Sequence, residues 1–304
     1  MRHARPVLLA LAIPLLALTA CGDDSVEDAS ATLPPVGSTA PTVPVTTPDT
    51  AGGAATSYDV ASGPDDVVIS VTNEGGFVPA GYAFVNAPIA LVTGDGRALS
   101  TGPVTAIYPG PLLPNILQRS ITPAAVQQLL AEADELGLLA DVDYEDPTNI
   151  ADAGTTIVTI TVGGTTYRHE AYALGLGPEG ETDPARVALA EFVESMTDLP
   201  GTVGAAELGP DEPYTSEQFL IQAMPVDPGA VGGDDIEPTL VAWPADAPVR
   251  LVDAATCASV PTAELAPLFT EATTLTFFTE PDPTDGTEVL YSVTPVPQLP
   301  GRSC

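Results

Sequence analysis

Acidic side chains are the residues of this chain whose types and spacing best suit chemistry. Four carboxylates lie close together in the sequence: Asp141, Asp143, Glu145 and Asp146. Carboxylate oxygens at alternating positions are ligands that calcium prefers. The run departs from an EF-hand loop, because Asp146 stands where that loop needs glycine and Asp152 where it needs glutamate. Two interpretations stay open, a calcium site and a solvated acidic loop.

His169 is the only histidine after the first 20 residues, so any histidine-dependent catalysis would have to use it. The pair His169-Glu170 begins like the zinc-protease motif, but the second histidine of that motif is missing and the segment is predicted to be a strand. A two-residue turn at Gly163-Gly164 would place His169 opposite Val158, on the apolar face of a hairpin. We therefore expect a hydrogen-bonded, half-buried histidine, and the sequence predicts no catalytic or cofactor-binding residue.

The first 21 residues predict export. Basic residues open the chain, and an apolar run from Val7 to Leu18 follows that is too short to span a bilayer comfortably. The run leads into Leu18-Thr19-Ala20-Cys21, which resembles the lipobox of bacterial lipoproteins. That resemblance implies cleavage before Cys21, a lipid on this cysteine, and attachment to the outer face of the cell membrane. An ordinary signal peptide with a chance cysteine is the alternative.

Two cysteines remain when Cys21 carries a lipid, and they are Cys257 and Cys304. In an exported protein, two remaining cysteines most simply pair as a disulfide. Closing the loop between them would stabilise the fold by about 4 kcal/mol. The alternative is two free thiols, which acidic surroundings would leave poorly reactive because such surroundings raise the pKa of a thiol.

Composition divides the chain into four segments. Residues 1–20 form the predicted lipoprotein signal peptide. Residues 21–62 are rich in proline and threonine and predict a lipidated, disordered tether, since such a segment cannot bury enough apolar surface to offset the ordering of its backbone. Residues 63–209 predict an α+β domain, and residues 210–304 a smaller, β-rich C-terminal subdomain closed by the disulfide.

The predicted fold class is α+β, with antiparallel hairpins and helices packed on one of their faces. A hairpin over 90–101 has Asp95-Gly96 as its expected turn, which would place Val92 opposite Leu99. A second hairpin covers 157–173. Thr122-Pro123 and Asp183-Pro184 each predict a helix start after a hairpin, and this order suggests a duplicated hairpin–helix unit.

The second helix is expected to stop at Pro200-Gly201. Beyond residue 210 the pattern predicts a third helix over 262–272 and a set of short strands. Those strands are 219–224, 240–243, 249–252, 275–278 and 289–293.

Three turn motifs, taken together with the leader, the tether and the terminal cysteine, carry a wider resemblance. They are Gly94-Asp95-Gly96-Arg97, Tyr108-Pro109-Gly110-Pro111-Leu112-Leu113-Pro114 and Asp152-Ala153-Gly154-Thr155-Thr156. Over residues 65–304 the chain resembles uncharacterised secreted lipoproteins of high-GC Gram-positive bacteria. The resemblance implies a location and a topology. It implies no chemistry, because its motifs are turns and strand starts.

The net charge of the chain limits the classes of partner that it can bind. The chain has 8 basic against 41 acidic side chains and a net charge of −33, which argues against binding to nucleic acid or to anionic lipid headgroups. We expect a lipid-anchored extracytoplasmic protein that serves the cell envelope as a binding or structural module, with an unidentified envelope protein or ligand as its partner. The alternatives are an envelope hydrolase that uses carboxylates or a metal, and a calcium-binding surface protein.

Overall fold

The computed structural model describes residues 56–78, 81–177, 180–231 and 237–304. Cys21, the predicted leader and most of the predicted tether lie outside the described residues. The segment Ala54–Cys304 is one compact unit. Its described part mixes helices with two sheets rich in antiparallel pairs, so the α+β prediction is confirmed.

The bounds of the elements follow in chain order. The strands are β1 (Val67–Gly75), β2 (Ala90–Thr93), β3 (Arg97–Thr101), β4 (Ile116–Ser120), β5 (Gly154–Val162), β6 (Thr165–Tyr172), β7 (Glu212–Pro213), β8 (Gln218–Pro225), β9 (Thr239–Ala242), β10 (Ala258–Pro261), β11 (Thr276–Pro281) and β12 (Glu288–Pro297). The helices are α1 (Tyr82–Val85), α2 (Pro123–Glu135), α3 (Pro184–Thr197), α4 (Leu199–Val203) and α5 (Thr262–Thr270).

The first sheet has seven strands in the order β6-β5-β1-β2-β3-β4-β7, and every neighbouring pair is antiparallel. Helices α2 and α3 pack on one face of this sheet, the inner face, because each carries an apolar stripe at helical spacing. The stripes and the strands share one core that includes Leu129, Leu130, Leu189, Phe192, Val71, Val158 and Ile160. The predicted arrangement of hairpins with helices on one face is therefore present.

The predicted register of the hairpin β2–β3, with Val92 opposite Leu99, is wrong. Leu91, not Val92, lies opposite Leu99, because the loop has three residues and Val92 pairs with Ala98. The Asp95 carboxylate determines this loop: it accepts a hydrogen bond from Thr93 Oγ1 at 2.5 Å and forms an ion pair with an arginine of β3 at 2.9 Å. The two leucines consequently share the outer face of the sheet, which is the face opposite α2 and α3.

The starts of α2 and α3 follow the sequence prediction. Thr122 Oγ1 accepts a hydrogen bond from the backbone of Ala125 at 3.2 Å, and Asp183 accepts two from the first turn of α3 at 3.0 Å each. The expected stop at Pro200-Gly201 is wrong, since these residues lie inside α4. Proline is tolerated in the first turn of a helix, and the Asp198 side chain caps this new helix through the Gly201 amide at 3.1 Å.

The second sheet has five strands in the order β10-β8-β12-β11-β9, and its β9–β11 pair is parallel. Its own core is built around the aromatic side chains Phe219, Trp243, Phe269 and Phe278. The predicted strand over 249–252 is wrong, because Leu251–Ala254 forms a 3-10 turn. The nearly buried Glu280 carboxylate holds this turn by accepting a hydrogen bond from the Leu251 amide at 3.0 Å.

Cys257 and Cys304 lie at disulfide distance with their Cα atoms 5.4 Å apart, so the predicted pairing is confirmed. Cys257 directly precedes β10, and Cys304 ends a segment that leaves the second sheet after β12. This segment, Gln298–Cys304, is called the C-terminal tail below. On its way Leu299 packs against Leu91, Leu99 and Ile116 on the outer face of the first sheet.

Candidate functional site

The predicted acidic cluster lies in an extended segment after α2. Asp141, Asp143, Glu145 and Asp146 are all exposed, while Tyr144 between them is half-buried. Within the described ranges, no group of three or more histidine, cysteine or acidic side chains converges in a way that could hold a metal ion. Tyr144 packs against the first core, whereas all four carboxylates face solvent.

His169 is fully buried under that segment, deeper than the half-buried position predicted for it. It lies opposite Val158 as predicted. Its Nε2 donates to the Leu138 carbonyl at 2.9 Å, because a carbonyl oxygen can only accept. Its Nδ1 then accepts from the Tyr144 hydroxyl at 2.9 Å, and burial raises the pKa of Tyr144 to about 12, which keeps that donor protonated. Both ring nitrogens are thus used to fasten the acidic segment to the sheet.

A buried ion pair fastens the other end of the same segment. Arg186 in α3 is 4% exposed and binds both carboxylate oxygens of Glu181, through Nε at 2.6 Å and Nη2 at 2.9 Å. The same guanidinium donates to the carbonyls of Glu145 and Tyr172, at 3.2 and 3.0 Å. Hydrogen bonds from Arg186 are the main cause that lowers the pKa of Glu181. The sequence did not reveal this pair, which joins four separate segments.

A cleft lies on the outer face of the first sheet. It has a volume of about 700 Å³. Its floor consists of side chains from β1, β2 and β5, including Ser70, Leu91 and Thr159. One wall is the region of α1, and the opposite wall is the C-terminal tail from Leu299 to Ser303. A volume of this size is typical of sites for small ligands.

Arg302, which lies in the tail wall, differs from the other arginines of the described residues because it forms no ion pair. Arg97, Arg119, Arg168, Arg186 and Arg250 each form an ion pair with a carboxylate. Arg302 forms none; its Nη2 donates to the Phe84 carbonyl, and its guanidinium carbon lies 5.3 Å from the centre of the Phe84 ring. Burial lowers the pKa of Arg302. A partly desolvated positive charge that forms no ion pair within the described residues therefore lines the cleft.

The tail holds this arginine in a fixed place. The Gln298 side chain donates to the Arg302 carbonyl at 2.9 Å, and the Arg302 amide donates to the Leu299 carbonyl at 3.0 Å. Gly301 allows the turn because its φ is +72° and a Cβ there would approach Val67 to 2.9 Å. The disulfide at Cys304 then ties the end of the tail to the second sheet.

Comparison of the chain with protein-family models, with curated proteins and with solved structures finds no match. Among the described residues, no helix is both long and apolar enough to cross a bilayer.

Proposed function

We propose that this chain is a lipid-anchored extracytoplasmic protein whose compact unit binds a small ligand in the cleft between the first sheet and the C-terminal tail. The observation that carries the binding proposal is Arg302. A guanidinium without a carboxylate partner lines a cleft of about 700 Å³ in a chain with 41 acidic residues. An unpaired, partly buried charge is costly unless a ligand or solvent compensates it.

The anchor proposal rests on the sequence from Leu18 to Cys21 and on its resemblance to the lipobox. The disulfide supports export, because disulfides persist mainly in oxidising compartments. An oxidising compartment would also preserve the Cys257–Cys304 bond, which holds the C-terminal tail in place as one wall of the cleft. The lipid would hold the compact unit at the envelope, where ligands outside the cytoplasm can reach the cleft.

Substitution of Cys21 tests the anchor. In bacterial cells fed an alkyne fatty acid, we expect the wild-type chain to carry the label and to sediment with membranes, and Cys21→Ser to lose the label completely. The double variant Cys257→Ser/Cys304→Ser is the matched control, because it removes two cysteines and leaves the lipobox intact; it should stay labelled. Labelling of Cys21→Ser at the wild-type level would contradict the anchor.

Filling the cleft tests the binding proposal. Thr159→Phe would place a ring on the cleft floor, whereas Thr166→Phe adds the same ring to an exposed position of β6 outside the cleft. We expect native mass spectrometry of protein isolated from the envelope to show a bound small molecule in the wild type and in Thr166→Phe. Thr159→Phe should lack it. Equal occupancy in all three proteins, or no bound molecule in any, would contradict the proposal.

A further inference from the structure

The chemistry of the cleft lining narrows the class of ligand. Arg302 offers planar N–H donors, of which the structure assigns one, on Nη2, to the Phe84 carbonyl. The remaining donors of a guanidinium match the two oxygens of a carboxylate. The Phe84 ring under the guanidinium and the turn of the tail fix its plane, so little side-chain entropy remains to be lost on binding.

Apolar side chains surround that charge. Val78 and Tyr82 line the cleft and are 42% and 39% exposed, and the buried side chains of Leu91 and Leu299 lie beneath the same lining. Such a lining favours a ligand whose body is hydrocarbon, because burial of each methylene group stabilises a complex by roughly 0.8 kcal/mol. The charged head alone would leave this surface in contact with water.

Hydroxyl groups form the polar part of the floor. Ser70 and Thr159 lie directly opposite each other on β1 and β5, and Thr72 follows on the same face of β1. Hydroxyls can donate or accept, so they tolerate a carboxylate head as well as the water that accompanies it. They provide no charge of their own.

Negative charge around the cleft limits the ligand to one negative charge. Glu74 is exposed at the edge of the cleft, and the chain as a whole carries a net charge of −33. A dianion such as phosphate would meet the same single arginine and a stronger repulsion. A ligand with a single negative charge therefore meets less repulsion than a dianion, and the planar guanidinium favours a carboxylate among single charges.

We propose that the ligand of this cleft is a monocarboxylate with an apolar body, of the class of short and medium-chain organic acids. The carboxylate binds Arg302 in a two-point geometry, and the hydrocarbon part lies against the exposed side chains of Val78 and Tyr82. This inference rests on the proposed function, since it assigns a chemical class to the same cleft. It identifies Arg302 as the residue that selects an acid over a neutral molecule of equal size.

Calorimetric titration of the oxidised full chain tests the ligand class with two probes that share a body, octanoate and octan-1-ol. We expect octanoate to bind more tightly, and Arg302→Met to lower its affinity by roughly 10- to 100-fold, because charge-assisted hydrogen bonds are lost. The affinity for octan-1-ol should not change. Arg302→Lys keeps the charge without the planar fork and should give an intermediate affinity for octanoate. Arg119→Met is the matched control, because Arg119 lies beside Ala98 on the other face of the sheet and does not line the cleft; it should bind as the wild type does.

The outcomes distinguish failure of the proposed ligand class from failure of the proposal that the cleft is a binding site. The class is wrong if octan-1-ol binds as tightly as octanoate, if Arg302→Met keeps full affinity for octanoate, or if inorganic phosphate displaces octanoate at equal concentration. In those cases the cleft remains the binding site if Thr159→Phe abolishes binding. If neither probe binds, the ligand class is wrong, and the native mass spectrometry of Thr159→Phe and Thr166→Phe decides whether the cleft binds another molecule. Both proposals fail if Thr159→Phe leaves the binding of octanoate and octan-1-ol unchanged.

Discussion

Replacing Arg186 with methionine is expected to lower the free energy of unfolding by about 3–5 kcal/mol. The substitution keeps an apolar stem in place of the arginine but leaves the largely buried Glu181 carboxylate without its partner. It also removes the donors that reach the carbonyls of Glu145 and Tyr172. For a unit of this size, such a loss corresponds to a decrease of roughly 10 °C in the melting temperature.

Urea unfolding of the full chain measures this effect, and Arg168→Met is its control. The Arg168–Glu170 pair has the same N–O distance of 2.6 Å, but its side chains are 50% and 54% exposed. An exposed pair contributes little, so the control should change stability by less than about 1 kcal/mol. Equal decreases in the free energy of unfolding of the two variants would contradict the prediction that the buried Arg186 pair stabilises the fold more than the exposed Arg168 pair.

Acidification should reduce the effect of Arg186→Met. The pKa of Glu181 is lower in the folded protein than in the unfolded chain, so its stabilising contribution is present above the unfolded pKa and is lost as the pH falls through the folded pKa. In the variant the buried carboxylate lacks a partner, and protonation relieves its burial. The difference in unfolding free energy between wild type and variant should therefore shrink from pH 7 towards pH 3. A difference that stays constant over this range would contradict the assignment.

Removal of the disulfide is the second large expected effect. Cys257 and Cys304 are 47 residues apart, and opening a loop of this length should lower the free energy of unfolding by about 4 kcal/mol. The measurement is urea unfolding of Cys257→Ala/Cys304→Ala in a Cys21→Ser background, which leaves no third thiol to exchange with the pair. Reduced protein with both cysteines present should unfold with the same midpoint as the double variant. A loss below about 1 kcal/mol would mean that the tail is held by its packing alone.

The bond also maintains the tail wall of the cleft. Arg302 is two residues from Cys304. Without the disulfide, the tail near Arg302 would be held by noncovalent contacts alone, among them the hydrogen bond from the Gln298 side chain and the packing of Leu299. If the cleft binds octanoate through Arg302, the double cysteine variant should show a lower affinity for octanoate as well as a lower stability. The stability prediction does not depend on that binding, since it follows from the loop length.

Local signals in the sequence predicted much of the fold. The prolines after Thr122 and Asp183 mark helix starts because a cap and a first-turn proline act within one turn. The turn at Gly163-Gly164 fixes the partner of His169 in the same way, since both glycines adopt positive φ. Each of these signals involves neighbours in sequence, and each is confirmed.

Distant partners account for what the sequence could not predict. Leu251 forms a turn instead of a strand because Glu280, far along the chain, binds its amide. The residues of the candidate site could not be predicted from the sequence for the same reason. Arg119 and Arg302 are both far from any acidic residue in sequence, yet Arg119 pairs with Asp211 whereas Arg302 has no such partner in the described residues. Spacing alone cannot distinguish the two arginines.

The position of Leu299 has a consequence for how the chain is made. Leu91 and Leu99 belong to a hairpin near the start of the compact unit, but the leucine that covers them comes some two hundred residues later. A chain that leaves a ribosome or an export channel with its N-terminal end first can assemble the first core while this hairpin keeps an uncovered apolar patch. Exposed apolar surface on partly folded chains is prone to aggregation. Covering of this patch therefore has to wait for the C-terminal tail to emerge, and a pause in synthesis or export before residue 299 would leave the patch open.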